Sequence, residues 1–123
     1  MSEYPLPFNS KRVLLFIARS NFSADSLAEA LRFAVGLSGG VVGHKLDIVF
    51  IGDGVTECLA ERCTENAKPY LLSAKSYGIQ FFADSFSLKQ REIKEERLLA
   101  ECSSIAPEDL VKLLKESEIH LRL

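Results

Sequence analysis

The run of residues 46–51, LDIVFI, constrains the fold of this chain more than any other stretch. Ile48, Val49 and Phe50 follow one another without a polar residue, and their β-branched and aromatic side chains favour a strand. An uninterrupted apolar run of this length is typical of a strand buried on both faces, as the strands of parallel sheets are. Gly52 and Gly54 follow and end the strand. The segment therefore predicts a central strand of an α/β protein.

Similar apolar runs recur along the chain. We predict strands at 12–18, 46–51, 79–83, 97–102 and 118–123, separated by segments with helical spacing. Five strands alternating with helices predict an α/β fold with an open, mostly parallel sheet covered on both sides. The length of 123 residues suits a single domain, which we place at 12–123, after an N-terminal lead-in of residues 1–11.

The first helix has clear boundary signals. Ser26 and Glu29 have the spacing of a capping box, in which each side chain bonds a free backbone N–H of the first turn. Gly39 and Gly40 are expected to close this helix, because glycine readily adopts the backbone conformation that ends helices.

Later helices are predicted from apolar spacing and from proline. A helix is expected to start near Val55, with Cys58 on its inward face, and another near Pro69, while residues 84–93 form a short helix or turn. Pro107 suits the first turn of the last helix. Four apolar residues of that helix are expected to face the core: Leu110, Val111, Leu113 and Leu114.

Composition excludes several classes of function. A formal net charge of −2 provides no electrostatic surface for nucleic acid or anionic lipid, so neither partner is expected. No apolar stretch approaches the roughly 20 residues that span a bilayer. The chain has three cysteines, an odd number, and its start lacks an apolar signal segment. We therefore expect a protein of the reducing cytoplasm, without structural disulfides.

Ligands of open parallel sheets bind beyond the carboxyl ends of the strands, where helix N-termini point. This rule selects candidate ligand-binding residues in three loops: Arg19, Ser20, Asn21, Ser23, Gly52, Asp53, Gly54, Ala83, Asp84 and Ser85. Cys102 ends the fourth predicted strand and is the candidate catalytic thiol. We expect alkylating reagents to label Cys102 fastest and Cys58 slowest.

Phosphate-binding and metal motifs are not met. Glu57 occupies the position of the third glycine of a dinucleotide fingerprint, and GGVVGHK lacks the spacing of a P-loop. We therefore interpret Gly-Asp-Gly chiefly as turn chemistry, with Asp53 bonding nearby backbone amides. His44 and His120 are far apart in the sequence, and no metal or cofactor is expected.

Four segments taken in order give a family resemblance. The hydroxyl-rich exit RSNFS, the turn FIGDGV, the segment GIQFFADSFSLKQRE and the ending SEIHLRL together resemble the DsrE/DsrF-like family, most closely its DsrF/TusC branch. The resemblance covers most of residues 12–123. It implies a five-stranded α/β/α sandwich, assembly into trimers, hexamers or mixed complexes with other family subunits, and a part in relaying sulfur as protein persulfide.

One departure from the family bears on function. The resemblance implies that carrier members hold a cysteine at the end of the third strand, where this chain has Ala83 and Asp84. Neither side chain can form a persulfide, which requires a thiolate. The chain is thus predicted to be a partner or structural subunit in sulfur transfer. The alternatives are a carrier or enzyme that uses Cys102, and a small-molecule binding module at the strand ends.

Aromatic side chains outside the predicted core favour an oligomer. Monomers seldom expose large contiguous apolar patches. Four residues carry this expectation: Tyr70, Phe81, Phe82 and Phe86.

Overall fold

The computed structural model describes residues 10–20, 23–40 and 43–123. Most of the predicted lead-in and the candidate Asn21 lie outside these ranges. Within them, strands and α-helices follow in this order: β1 (Arg12–Ile17), α1 (Ser26–Gly39), β2 (Lys45–Phe50), α2 (Lys68–Ser76), β3 (Gln80–Asp84), α3 (Ser85–Gln90), β4 (Cys102–Ile105), α4 (Pro107–Glu116) and β5 (Ile119–Arg122). Three short 3₁₀ helices are interspersed: Gly52–Cys58, Ala60–Arg62 and Glu95–Arg97. No helix in the described ranges is long and apolar enough to cross a bilayer.

The five strands form one sheet in the order β4-β3-β2-β1-β5, and every neighbouring pair is parallel. One row of residues crosses the whole sheet, from Leu121 through Leu15, Ile48 and Phe81 to Cys102. Residues in register on parallel strands point to the same face, so Cys102 ends a row of apolar side chains. The predicted parallel five-stranded sheet is confirmed.

The core lies mainly between the sheet and helices α1 and α2. Alternate residues of β1 and β2, including Leu15, Ile48 and Phe50, point to this face and are fully buried. α1 and α2 pack against each other, and Leu31 and Leu71 are among the residues they bury. Full burial of each large apolar side chain stabilises the fold by about 1.5–3 kcal/mol.

The fourth strand was predicted at 97–102, but β4 begins at Cys102. Leu98 and Leu99 are buried, which explains the apolar signal, yet they belong to the connection before β4. Leu98 forms an isolated antiparallel bridge with Leu59, and the Leu99 N–H donates to the Cys58 carbonyl. The two leucines therefore cover the core without joining the sheet, and Cys102 begins the strand that it was expected to end.

The helix expected near Val55 is a 3₁₀ helix, and it starts directly at Gly52. Gly52 adopts a φ of 59°, which turns the chain sharply at the end of β2. The segment then breaks at Leu59, whose backbone is extended. Val55 and Cys58 are fully buried, so the predicted inward face of Cys58 is confirmed.

α4 is the most exposed of the predicted core helices. In the described structure none of its residues is buried: Leu110, Leu113 and Leu114 are partly exposed and Val111 is 46 % exposed. The expectation of four inward residues is wrong because α4 spans from the edge strand β4 to the opposite edge strand β5, and it packs on the sheet by one flank, against β1. Phe81 is also buried, contrary to expectation, whereas Phe86 is 59 % exposed.

Candidate functional site

The candidate ligand-binding residues converge on one edge of the sheet. Arg19 and Ser20 follow β1, Gly52 follows β2, and Asp84 ends β3. Because β1, β2 and β3 are parallel neighbours, their carboxyl ends lie side by side. The side chains at this edge fall into two hydrogen-bonded groups, one around Glu57 and one around Asp84.

Glu57 holds the first group together. In a 3₁₀ helix residues three apart share a face, so Glu57 lies on the face of Gly54, which abuts the end of β1. Only 3 % of Glu57 is exposed. Its carboxylate accepts a hydrogen bond of 2.5 Å from the Ser20 hydroxyl and another from the Ser26 hydroxyl.

Arg62 neutralises this buried carboxylate. Its Nη2 lies 3.1 Å from Glu57 Oε2 and also donates to the Ser23 carbonyl at 2.7 Å and the Ser26 hydroxyl at 2.9 Å. The predicted capping box is therefore wrong: Asp25 occupies the N-cap position without a side-chain cap, and the Ser26 hydroxyl bonds the Ser23 carbonyl and Glu57 instead. A buried charge needs such partners, because leaving it unpaired costs several kcal/mol, on the order of 3–5.

An open pocket of about 360 Å³ lies beside Glu57. Arg19, Glu29 and Ser26 supply its polar lining, and Phe33 contributes to its apolar wall. Arg19, a predicted ligand-binding residue, thus lines a cavity together with the buried carboxylate of Glu57. In the sequence alone, Glu57 is notable only because it stands where a dinucleotide motif has glycine. Recognising Glu57 in advance would have required knowing that this segment packs against the end of β1 and the start of α1, which local spacing does not show.

Asp84 organises the second group, at the end of β3. Its carboxylate accepts from the Ser87 N–H at 3.0 Å and from the Ser87 hydroxyl at 2.6 Å, which caps α3. The Ser87 hydroxyl in turn accepts from the Gly52 N–H at 2.9 Å. The last two residues of β3, Ala83 and Asp84, are buried, whereas Ser85 after them is partly exposed.

Asp53 joins the Gly-Asp-Gly turn to α3. Its carboxylate pairs with the Arg91 guanidinium at 2.7 Å, and Arg91 also donates to the Ser87 carbonyl at 3.2 Å. The expectation that Asp53 bonds backbone amides is wrong, because the 3₁₀ geometry leaves its side chain 78 % exposed and within reach of the neighbouring helix. Turn chemistry is confirmed for the two glycines, Gly52 through its positive φ and Gly54 through its contact with β1.

None of the three cysteine side chains takes part in the hydrogen bonds that hold these two groups together. All three are within the described ranges and are free. Cys102 is at the amino end of β4, opposite to its expected place, and is partly exposed. Cys58 is fully buried and donates to the Val55 carbonyl at 3.0 Å, and Cys102 packs against the core cluster to which Cys58 belongs.

These surroundings alter the acidity of two thiols. The neighbouring Cys102 thiol, reinforced by burial, raises the pKa of Cys58 well above its ordinary value. Burial also raises the pKa of Cys63, although Lys68 partly opposes the shift. Within the described ranges, no three His, Cys, Asp or Glu side chains are grouped closely enough to hold a metal ion.

The parallel sheet, its strand order and the polar groups at its carboxyl edge define a three-layer α/β/α protein. A model of the DsrE/DsrF-like family matches residues 11–123, and the chain belongs to that family. No curated protein sequence gives a significant match.

Solved structures share the fold at low sequence identity. The ychN protein from E. coli superimposes with a TM-score of 0.72 at 18 % identity, covering 93 % of this chain and 99 % of that one. A protein of unknown function from Methanobacterium thermoautotrophicum gives 0.70 at 16 % identity, with 93 % and 100 % covered. A third, from Bacteroides thetaiotaomicron, gives 0.65 at 12 % identity, with 90 % and 94 % covered.

Proposed function

We propose that this chain is a non-carrier partner subunit in intracellular sulfur transfer, of the DsrF/TusC type within its family. The end of β3 supports the proposal, because the family resemblance places the carrier cysteine there and this chain has Ala83 and Asp84. Ala83 is fully buried, and both Asp84 bonds to Ser87 hold the first turn of α3. This position serves the fold and has no group able to carry sulfur.

A partner subunit must associate with other chains, and the surface supports this role. Among the residues that the structure describes, seven large apolar side chains are exposed: Phe33, Leu72, Tyr77, Phe86, Val111, Ile119 and Leu123. We propose that some of them lie in an interface with copies of this chain or with other subunits of the family. Light scattering at micromolar concentration tests this directly. A strictly monomeric mass for the chain alone would exclude a homo-oligomer, and only complexes with other subunits of the family would remain.

The test of the non-carrier role is persulfide loading. The purified chain is incubated with a low-molecular-weight persulfide, excess donor is removed, and the intact mass is recorded. We expect no lasting gain of a sulfur atom. A Ser85→Cys variant places a partly exposed thiol at the carboxyl end of β3 and serves as a positive control for detection. A stable gain of sulfur on the unmodified chain would show that it is a carrier.

A second candidate function is small-molecule binding at the carboxyl edge. The pocket beside Glu57 supports it, since a cavity with a few convergent polar groups on an apolar wall is a typical ligand site. Native mass spectrometry of freshly purified protein would reveal a retained ligand. Arg19→Ala would abolish its retention if the pocket holds it, and Lys112→Ala, exposed on α4 and outside the pocket lining, is the control.

A carrier role for Cys102 is less well supported. Its premise was a position at the carboxyl edge, and Cys102 begins β4 at the other end. What remains in its favour is partial exposure and the adjacent thiol of Cys58.

A further inference from the structure

The backbone holds Cys58 and Cys102 next to each other. The Leu99 N–H donates to the Cys58 carbonyl, and the Cys102 N–H donates to the Leu99 carbonyl, both at 2.9 Å. The antiparallel bridge between Leu59 and Leu98 continues this connection. Two short backbone links thus tie the end of the 3₁₀ helix to the start of β4, and Cys58 belongs to the core cluster against which Cys102 packs. The two thiols are close enough for Cys102 to affect the acidity of Cys58.

The two thiols differ in access. Cys58 is fully buried, so a reagent in solution reaches it last. Cys102 is partly exposed, whereas the open groove of about 430 Å³ beside it is lined by its chain neighbours Glu101 and Ser103 and not by Cys102 itself. Phe81, which is in register with Cys102, lines the same groove. Because Cys102 is the more exposed of the two thiols, a sulfur donor would meet Cys102 before Cys58.

From this arrangement we propose that Cys102 and Cys58 form a resolving dithiol, which takes a sulfur atom from a small persulfide and releases it as hydrogen sulfide. The proposal rests on the sulfur-transfer context given above, and it adds an activity that a partner subunit alone would lack. It concerns the amino end of β4 and the last residue of the 3₁₀ helix Gly52–Cys58, and it does not use the hydrogen-bonded groups around Glu57 and Asp84.

The chemistry proceeds in two balanced steps. The Cys102 thiolate attacks the outer sulfur of the donor persulfide, and the donor leaves as a thiol, so that Cys102 becomes a persulfide. Cys58 sulfur then attacks the inner sulfur on Cys102, the outer sulfur departs, and the Cys58 thiol proton leaves with it as hydrogen sulfide. Two thiols are oxidised to one disulfide, and one sulfane sulfur is reduced.

Cys58 is suited to the second step alone. Its raised pKa and burial make it a poor nucleophile toward reagents in solution. Next to a Cys102 persulfide its attack is intramolecular, and enforced proximity offsets a low thiolate fraction. A sulfur atom placed on Cys102 is thus removed before it accumulates, which agrees with a chain that does not store persulfide.

The experiment uses the full-length reduced chain, a low-molecular-weight persulfide, intact mass and a sulfide assay. We expect the unmodified chain to release up to one equivalent of hydrogen sulfide, to lose two hydrogen atoms in mass, and to yield a peptide containing the Cys58–Cys102 disulfide. Cys58→Ala should instead retain one extra sulfur atom on Cys102 and release no sulfide. Cys102→Ala should show neither reaction, and Cys63→Ala, which spares the pair, should behave as the unmodified chain.

The possible results distinguish the dithiol proposal from the non-carrier role. If the unmodified chain shows neither sulfide release nor a disulfide, the dithiol is refuted, while the non-carrier role stands. Stable persulfide on the unmodified chain refutes both. If Cys58→Ala folds poorly, two results still decide the question: the disulfide peptide from the unmodified chain, and the absence of sulfide release and disulfide in Cys102→Ala.

Discussion

Gly54 lies against the carbonyl oxygen of Ile17, and a Cβ on residue 54 would approach that oxygen to 1.8 Å. The Ile17 carbonyl also accepts from the Ile51 N–H at 3.0 Å, so it is held in place and cannot move away. The Gly-Asp-Gly turn is therefore a point of close backbone packing between the end of β1 and the chain leaving β2.

Gly54→Ala should destabilise the protein by about 3 kcal/mol, because the new methyl group overlaps backbone that has no room to shift. Gly36→Ala makes the same substitution in α1, where nothing lies within 4 Å of the added Cβ. There we expect a gain of about 0.5–1 kcal/mol from helix propensity. Denaturant unfolding of both variants measures the contrast, and equal effects would mean that the turn has space the structure does not show.

Glu57→Gln should destabilise the fold by about 2 kcal/mol, since it leaves Arg62 without its buried counter-ion but keeps hydrogen-bonding capacity. Glu61→Gln removes an exposed pair with Arg97 and should cost about 0–1 kcal/mol. Chemical denaturation at neutral pH compares the two. If both substitutions were equally mild, Glu57 would not be the structural centre of its hydrogen-bonded group.

Asp47 is buried in the middle of β2, and its Oδ1 has no hydrogen-bond partner among the described residues. Burial raises its pKa, with Lys45 and Arg12 partly opposing the shift. The ionised form therefore destabilises the folded state above the folded pKa. This penalty disappears as the pH falls through the folded pKa toward the unfolded one, because the folded chain then gains the proton first.

Asp47→Asn should consequently stabilise the protein at neutral pH, by about 1 kcal/mol, and the advantage should vanish in acid. Thermal unfolding from neutral pH to about pH 3 follows it. Asp53→Asn, at an exposed position, is the control and should show no such trend. An advantage independent of pH would refute the role of the charge.

Cys58 should resist alkylation in the native protein, because it is fully buried and its pKa is raised by the neighbouring Cys102 thiol and by burial. We expect iodoacetamide to label Cys102 first, Cys63 more slowly because burial raises its pKa, and Cys58 last. Peptide mass spectrometry against time gives the three rates. Early labelling of Cys58 would show that the region around Leu99 opens readily.

The central strands were predictable because their apolar runs are continuous, as residues 46–51 show. β4 was misplaced because Leu98 and Leu99 are as buried as strand residues, and only tertiary pairing with Leu59 and Cys58 distinguishes them. A local sequence pattern indicates that a residue is buried, but it does not indicate which part of the chain buries it.

The same limit applies to the site. Candidates such as Arg19 and Asp84 were found because topology alone places strand ends together. Glu57, Arg62 and the proximity of Cys58 and Cys102 were missed, since each depends on side chains and backbone brought together from segments far apart in the sequence.

The pairing of β1 with β5 has a consequence for how this chain is made. Val13 is in register with Ile119, so β1, the first strand to be synthesised, cannot complete its pairing until β5, the last strand, has been synthesised. While the ribosome is still synthesising α4, β1 has β2 on one side and an open edge on the other. Open strand edges recruit other chains, so this interval is when the nascent protein is most prone to aggregate, and slow translation through α4 would prolong it.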